Sequence, residues 1–222
     1  MLDGAEWSTE TVSFTAADGT ALVGDLAVPA GVTTVPSNSS PTDCGSIAAV
    51  VCHPHPQYGG DRQNPVVDSC WRALAAAGIV ALRFDFRAAF GGGVDERSDV
   101  TAALDLLASR AERPRLVAVG YSFGAMVVLG ADLDRCDAQV LIAPPLTSMD
   151  DLGAPRVPTH VLIPVGDQFT SPDAAAPIMD RWRAAGATVT AESVTMADHF
   201  LAGRADHVAE RTVSWLTASV GD

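Results

Sequence analysis

Six short, largely apolar runs recur along the chain, at residues 47–52, 80–84, 116–121, 138–142, 161–165 and 188–194. Each is too short to be a helix, and their composition suits strands buried on both faces of a parallel sheet. Helical patterns separate them, at 65–77, 96–111, 123–132, 172–185 and 204–218, with Gly78 and Gly186 just past two of these, where a helix ends. Ahead of them, residues 11–16 and 21–28 alternate with a period of two around Asp18-Gly19, the pattern of an antiparallel hairpin. Strands and helices alternating at these lengths are joined by right-handed crossovers. The expectation is an α/β fold: a mostly parallel sheet of about eight strands, an antiparallel N-terminal edge hairpin, and helices on both faces. In such a sheet chemistry gathers at the carboxyl ends of the strands, so a motif there carries more weight than the same motif elsewhere.

Composition narrows the classes. With 222 residues, 48% hydrophobic and 18% charged, the chain can bury a sizeable core, and it reads as one α/β domain over residues 1–222. Residues 29–46, rich in Pro, Ser, Thr, Gly and Asn, read as an exposed connection between strands. A net charge of −13 repels nucleic-acid backbones and anionic lipid, so neither is expected as a partner. The uncharged stretch 116–131 falls short of the ~20 residues a membrane span needs. Four cysteines without a CxxC spacing, and a start (MLDGAEWSTE) lacking basic and apolar signal regions, suggest reduced thiols in the cytoplasm. Nothing in the sequence sets the oligomeric state.

Gly120-Tyr121-Ser122-Phe123-Gly124 follows the strand at 116–121 and opens an apolar helix. In a G-x-S-x-G turn of this kind the serine sits on a sharp strand-to-helix bend with its hydroxyl exposed, and the glycines let the two backbones approach. A serine hydroxyl is a weak nucleophile and needs a base, which in turn needs an orienting acid. Of five histidines, His160 begins a buried strand at the wrong end, and His207 lies within the last helix as a surface residue. His53 and His55 precede the serine and follow a different strand. His199, in the loop between last strand and last helix, is the candidate base. Asp167, immediately past the strand at 161–165, is the candidate acid; Asp150 and Asp151 remain alternatives, and Asp173 reads as a helix starter.

The segment Cys52-His53-Pro54-His55-Pro56-Gln57-Tyr58-Gly59-Gly60 follows the strand at 47–52. Its prolines have no N–H, which leaves His55 or Gln57 as a backbone donor to an oxyanion, with Phe123 as the second donor. A His-x-His pair can ligate zinc, but no further ligand cluster accompanies it, so no metal and no cofactor are expected. Gly91-Gly92-Gly93 lacks the Lys and Ser/Thr of a phosphate loop and reads as a flexible turn.

From about Ile47 onward the chain resembles the small α/β-hydrolases of the dienelactone-hydrolase-like or esterase type, whose members carry an HPHP-x-x-GG loop. The similarity rests on His53–Gly60, Asn64, Leu82-Arg83-Phe84-Asp85-Phe86-Arg87, Gly120–Gly124, Asp167-Gln168-Phe169 and Asp198-His199-Phe200. The order Ser122, Asp167, His199 is that of the α/β-hydrolases. Two departures stand out: relatives continue the Phe-Arg segment with Gly-Val-Gly-x-Ser-x-Gly where this chain has Ala88-Ala89-Phe90-Gly91-Gly92-Gly93, and a Gly-x-x-Asp spacing is shortened to Gly166-Asp167. The resemblance implies an α/β-hydrolase fold and a carboxylesterase-like serine hydrolase acting on a small ester-type substrate through an acyl-enzyme. A thioesterase, peptidase or acyltransferase on the same residues, or a silent binding module, are the alternatives. Residues 143–159 are too few for a helical cap, so an uncapped site favouring short acyl groups is expected.

Overall fold

The computed structural model describes residues 6–31, 47–110, 114–148 and 153–220. Most of the expected connection at 29–46 lies outside them, as do Cys44, Asp150 and Asp151. In chain order the elements are β1 (Trp7–Thr15), β2 (Ala21–Pro29), β3 (Ile47–Cys52), α1 (Pro65–Ala76), β4 (Val80–Asp85), α2 (Glu96–Arg110), β5 (Arg115–Tyr121), α3 (Phe123–Gly130), β6 (Cys136–Ile142), β7 (Thr159–Gly166), α4 (Pro172–Ala184), β8 (Val189–Asp198) and α5 (Ala205–Val220). They build an eight-stranded sheet in the order β1-β2-β4-β3-β5-β6-β7-β8. β1 pairs antiparallel with β2 and β2 with β4, and every later pair is parallel.

Side chains of the central strands alternate between two apolar layers. Val50, Leu82 and Ala118 face a cluster shared with α2, α3 and α4, whereas Val51, Ala81 and Val119 face one shared with α1 and α5. Both faces are therefore covered, which explains why these strands read as nearly continuous apolar runs rather than as polar–apolar alternation. Cys52, Cys70 and Cys136 are buried free thiols, and burial pushes Cys70 and Cys136 up to about 12, so none is a ready nucleophile.

Two topological features position the site. From β3 the chain moves through α1 to β4 on one side, then back through α2 to β5 on the other. The direction of winding reverses between β3 and β5, and the carboxyl ends of these neighbours flank the crevice where ligands bind in open α/β sheets. The second feature is the β6–β7 connection. Residues 143–158 hold only a short 3-10 turn, Leu146–Ser148, among the described residues, so no cap domain covers the sheet's carboxyl edge. Among the described residues no helix is long and apolar enough to cross a membrane.

Candidate active site

Ser122 stands directly after β5 with φ 54° and ψ −114°, a conformation that costs an L-residue about 1–3 kcal/mol. Two glycines make the bend sterically feasible. A Cβ on Gly120 would lie 2.5 Å from the Gly124 carbonyl oxygen, and one on Gly124 would lie 2.5 Å from the Cys52 carbonyl oxygen. The first turn of α3 thus crosses directly over the end of β3. The Ser122 N–H donates to the Ile142 carbonyl (2.9 Å), which ties the bend to the neighbouring strand.

Ser122 Oγ lies 2.8 Å from His199 Nε2, and His199 Nδ1 lies 2.9 Å from Asp167 Oδ2. The pairing of β7 with β8 explains the second contact. A register shift between Pro164 and Gly166 brings Gly166 opposite Asp198, so the next residue on each strand, Asp167 and His199, leave the sheet side by side. Asp167 is buried, and its other oxygen accepts the N–H groups of Phe169 (2.8 Å) and Thr170 (3.1 Å). Three hydrogen bonds therefore hold one carboxylate and fix which oxygen faces the imidazole. With Asp167 accepting from Nδ1–H, Nε2 is left as the acceptor facing the serine hydroxyl.

The remaining histidines fall where the sequence pointed. His160 is buried at the start of β7, stacked on Trp215, and burial lowers it to about 4. His207 is exposed on α5. His53 is buried, with Nδ1 donating to the Pro54 carbonyl (2.6 Å) and Nε2 accepting the Phe86 N–H (3.0 Å). Both ring nitrogens are thus committed, and burial lowers its affinity for a second proton. Its ring rivets the 53–60 segment to the end of β4. Among the described residues no group of three His, Cys, Asp or Glu could hold a metal ion.

Of the backbone donors, the Gln57 N–H turns back onto His55 Nδ1 (3.3 Å). Among the described residues the N–H groups of His55 and Phe123 have no hydrogen-bond acceptor; Phe123 opens α3, where the first amides have no partner within the helix. They border the crevice from β3 and β5.

Three groups lay beyond sequence reasoning. The buried Tyr121 hydroxyl donates to the His199 carbonyl (2.9 Å), holding the loop that carries the imidazole. The Gln168 amide oxygen accepts the His199 N–H at 3.4 Å. Glu96 is fully buried, and its carboxylate accepts the N–H groups of Gly91 (2.7 Å) and Gly93 (2.8 Å). The glycine turn expected to be flexible is instead tied by charge-assisted bonds from the first residue of α2. The spacing Gly91-x-Gly93-x-x-Glu96 was the available signal: a carboxylate at a helix start, within reach of preceding amides.

The family model for the alpha/beta hydrolase family matches residues 49–220. An uncharacterized protein of Rickettsia prowazekii (strain Madrid E) is 29% identical over 147 residues, which cover 60% of this chain and 62% of that protein, so the match spans less than two thirds of the relative's length. Among solved structures, an alpha-beta serine hydrolase homologue from Coxiella burnetii superposes with a TM-score of 0.78 at 23% identity, covering 93% of this chain and 97% of its own. A serine hydrolase without lid from Xanthomonas campestris superposes with a TM-score of 0.76, again at 23% identity, covering 95% and 94%. The sheet order, the serine bend after β5 and the family match over most of its length agree: the chain belongs to the alpha/beta hydrolase family.

Proposed function

We propose that the protein hydrolyses a small ester-type substrate by two-step acyl transfer, with Ser122 as nucleophile, His199 as general base and acid, and Asp167 as the group orienting the imidazole. The observation that carries the reading is the relay of two contacts, 2.8 and 2.9 Å, which joins a serine on a strained bend to a buried carboxylate. In the first step His199 Nε2 takes the Oγ proton as the serine attacks the carbonyl, and the imidazolium then gives that proton to the departing alcohol. In the second step water replaces the alcohol, His199 takes its proton as the oxygen attacks the acyl carbon, and the imidazolium returns that proton to Ser122 Oγ as the carboxylic product leaves. The N–H groups of Phe123 and His55 are the proposed donors to the oxyanion; such a donor is worth roughly 10²–10³ in rate in other enzymes. We read the whole chain as one hydrolase domain with a small-molecule substrate.

Water is the proposed acyl acceptor because the site is uncapped. Excluding water from an acyl-enzyme takes a closed site, and here the described residues of the β6–β7 connection supply no cover. The same openness denies burial to a long acyl chain, which would favour it by about 0.8 kcal/mol per CH₂. Turnover of p-nitrophenyl acetate tests the reading. Wild-type protein should hydrolyse it, Ser122→Ala and His199→Ala should each lose at least 10³-fold in kcat, and the double variant should lose little more. Turnover within tenfold of wild type in either single variant would remove the mechanism.

A further inference from the structure

Beside Ser122, on the side of β3 and β4, aromatic rings gather around His55. The imidazole lies 4.7 Å from the Tyr58 ring, 4.8 Å from Phe90 and 4.8 Å from Phe123, centroid to centroid. Phe123 is buried and continues into Phe86 at 5.7 Å, while His55 and Phe90 are only half-buried and Tyr58 is 87% exposed. The rings therefore grade from core to solvent next to the serine bend. Gly93 completes this wall: a Cβ there would meet the Phe123 ring at 3.4 Å. Behind it, Glu96 fixes the turn through both carboxylate oxygens.

The charges that act on His55 and Tyr121, beside Ser122, are all negative. The chain contains no lysine, so arginine is its one strongly basic side chain. Of the two arginines four residues from the glycine turn, Arg87 is buried and committed to Asp99, Asp18 and the Ser98 hydroxyl, and Arg97 lies against Gly130, the last residue of α3. Arg62 and Arg83 are committed to Asp25, Asp68 and Asp85. The charged group that acts on His55 is the Glu96 carboxylate, and those that act on Tyr121 are Asp167 and Asp198. A carboxylate or phosphate on the substrate would meet these acids while Arg62, Arg83 and Arg87 are already paired, at a cost that low local dielectric enlarges.

We propose that the aromatic surface formed by His55, Phe90 and Phe123 beside Gly93 is the subsite for a flat, uncharged arm of the ester, and that Glu96 is the positioning residue that sets its wall. The inference rests on the ester-hydrolase reading above. A planar arm can lie against tilted aromatic rings, gaining contact beyond its area burial. It asks no hydrogen bond of a wall whose amide donors Glu96 already satisfies.

The test measures kcat/KM for ethyl acetate, phenyl acetate, ethyl benzoate and phenyl acetate carrying a meta carboxylate. Each value is divided by the alkaline hydrolysis rate of the same ester, which removes intrinsic reactivity. Wild-type protein should favour at least one of the neutral aromatic esters over ethyl acetate by tenfold or more, and should disfavour the anionic ester tenfold or more against phenyl acetate. Phe90→Ala should lower the aromatic-over-ethyl ratio about tenfold. Glu96→Gln, which turns an amide N–H₂ toward one of the two glycine N–H groups, should lower it in the same direction. Equal turnover of anionic and neutral phenyl esters by the wild-type protein would overturn the proposal without any variant, as would a ratio unchanged by both substitutions. If no ester is cleaved and p-nitrophenyl acetate leaves no acyl group on Ser122, it is the hydrolase reading that fails.

Discussion

Asp167 shows how much one side chain is asked to do. It receives two backbone N–H groups on one oxygen and the imidazole on the other. Replacing it with Asn keeps the shape but puts an N–H₂ or a neutral oxygen where the carboxylate stood. The imidazole then favours the wrong tautomer, and kcat should fall by about 10³–10⁴ while the protein keeps its fold. Steady-state kinetics with a circular-dichroism control checks this; a loss under tenfold would move the orienting role to another acid. At this scale the sequence was informative where a residue directly follows a strand, as Ser122, Asp167 and His199 do. It was silent about Tyr121 and Gln168, because their partners lie 78 and 31 residues away and exist only once the sheet has formed, whereas the partners of Glu96 lie only 3–5 residues away, within reach of a local reading. His53 belongs between these cases. Its motif marked the loop, but its hydrogen bond to Phe86, 33 residues on, is a product of packing.

Elements place these residues by close approach rather than by affinity. The α3 helix can pass over β3 only because position 124 has no Cβ, and the atoms in the way, the carbonyls of Cys52 and His53, are backbone. Gly124→Ala should therefore destabilise the protein by about 1–3 kcal/mol. That is a fall in Tm of several degrees, at roughly 2–4 °C per kcal/mol for a chain of this size. Gly153→Ala, where nothing lies within 4 Å of the added carbon, should leave Tm within a degree. Thermal unfolding of the two variants gives the comparison, and equal Tm values would mean that the elbow yields more easily than its geometry implies. Boundaries were the least legible part of the elements. The apolar run predicted β8 to end at residue 194, whereas pairing with β7 resumes after the bulge at 164–166 and carries it to Asp198. Residues 195–198 have no strand pattern of their own, and the neighbour's hydrogen bonds impose one. Non-glycine residues with positive φ include Ser122 and Ala143, directly after β5 and β6, Met196, near the end of β8, and Leu201, in the loop that follows it. Only at Ser122, between two glycines, does that strain have a signature in residue type.

For the whole molecule, the alternation of buried runs and helices was enough to read the layers, because both faces of a parallel sheet must be covered before its strands can be apolar throughout. The order of the strands was not readable, since the reversal at β4-β3-β5 depends on which face each crossover helix takes. Burial also gives the fold a pH dependence away from the site. His160 is held at about 4, chiefly by desolvation between β7 and Trp215, against an ordinary value of 6.5. The unfolded chain therefore takes up a proton between pH 6.5 and about 4 that the folded chain refuses. Stability from this group is complete above pH 6.5 and declines as pH falls through that window. His160→Phe, which keeps a ring against Trp215, should flatten the dependence of Tm on pH between 7 and 4; an unchanged slope would assign acid sensitivity elsewhere.

The account as a whole stands on Ser122 as an activated nucleophile, and labelling of the folded protein by a fluorophosphonate tests that most directly. The serine oxygen should displace fluoride from phosphorus, leaving one phosphonyl group per chain, located by peptide mass at Ser122. The reaction should slow by at least 10²-fold in His199→Ala and disappear in thermally unfolded wild-type protein. A folded, hydrolysing protein that takes up no label, or takes it up at any other residue, would contradict the account.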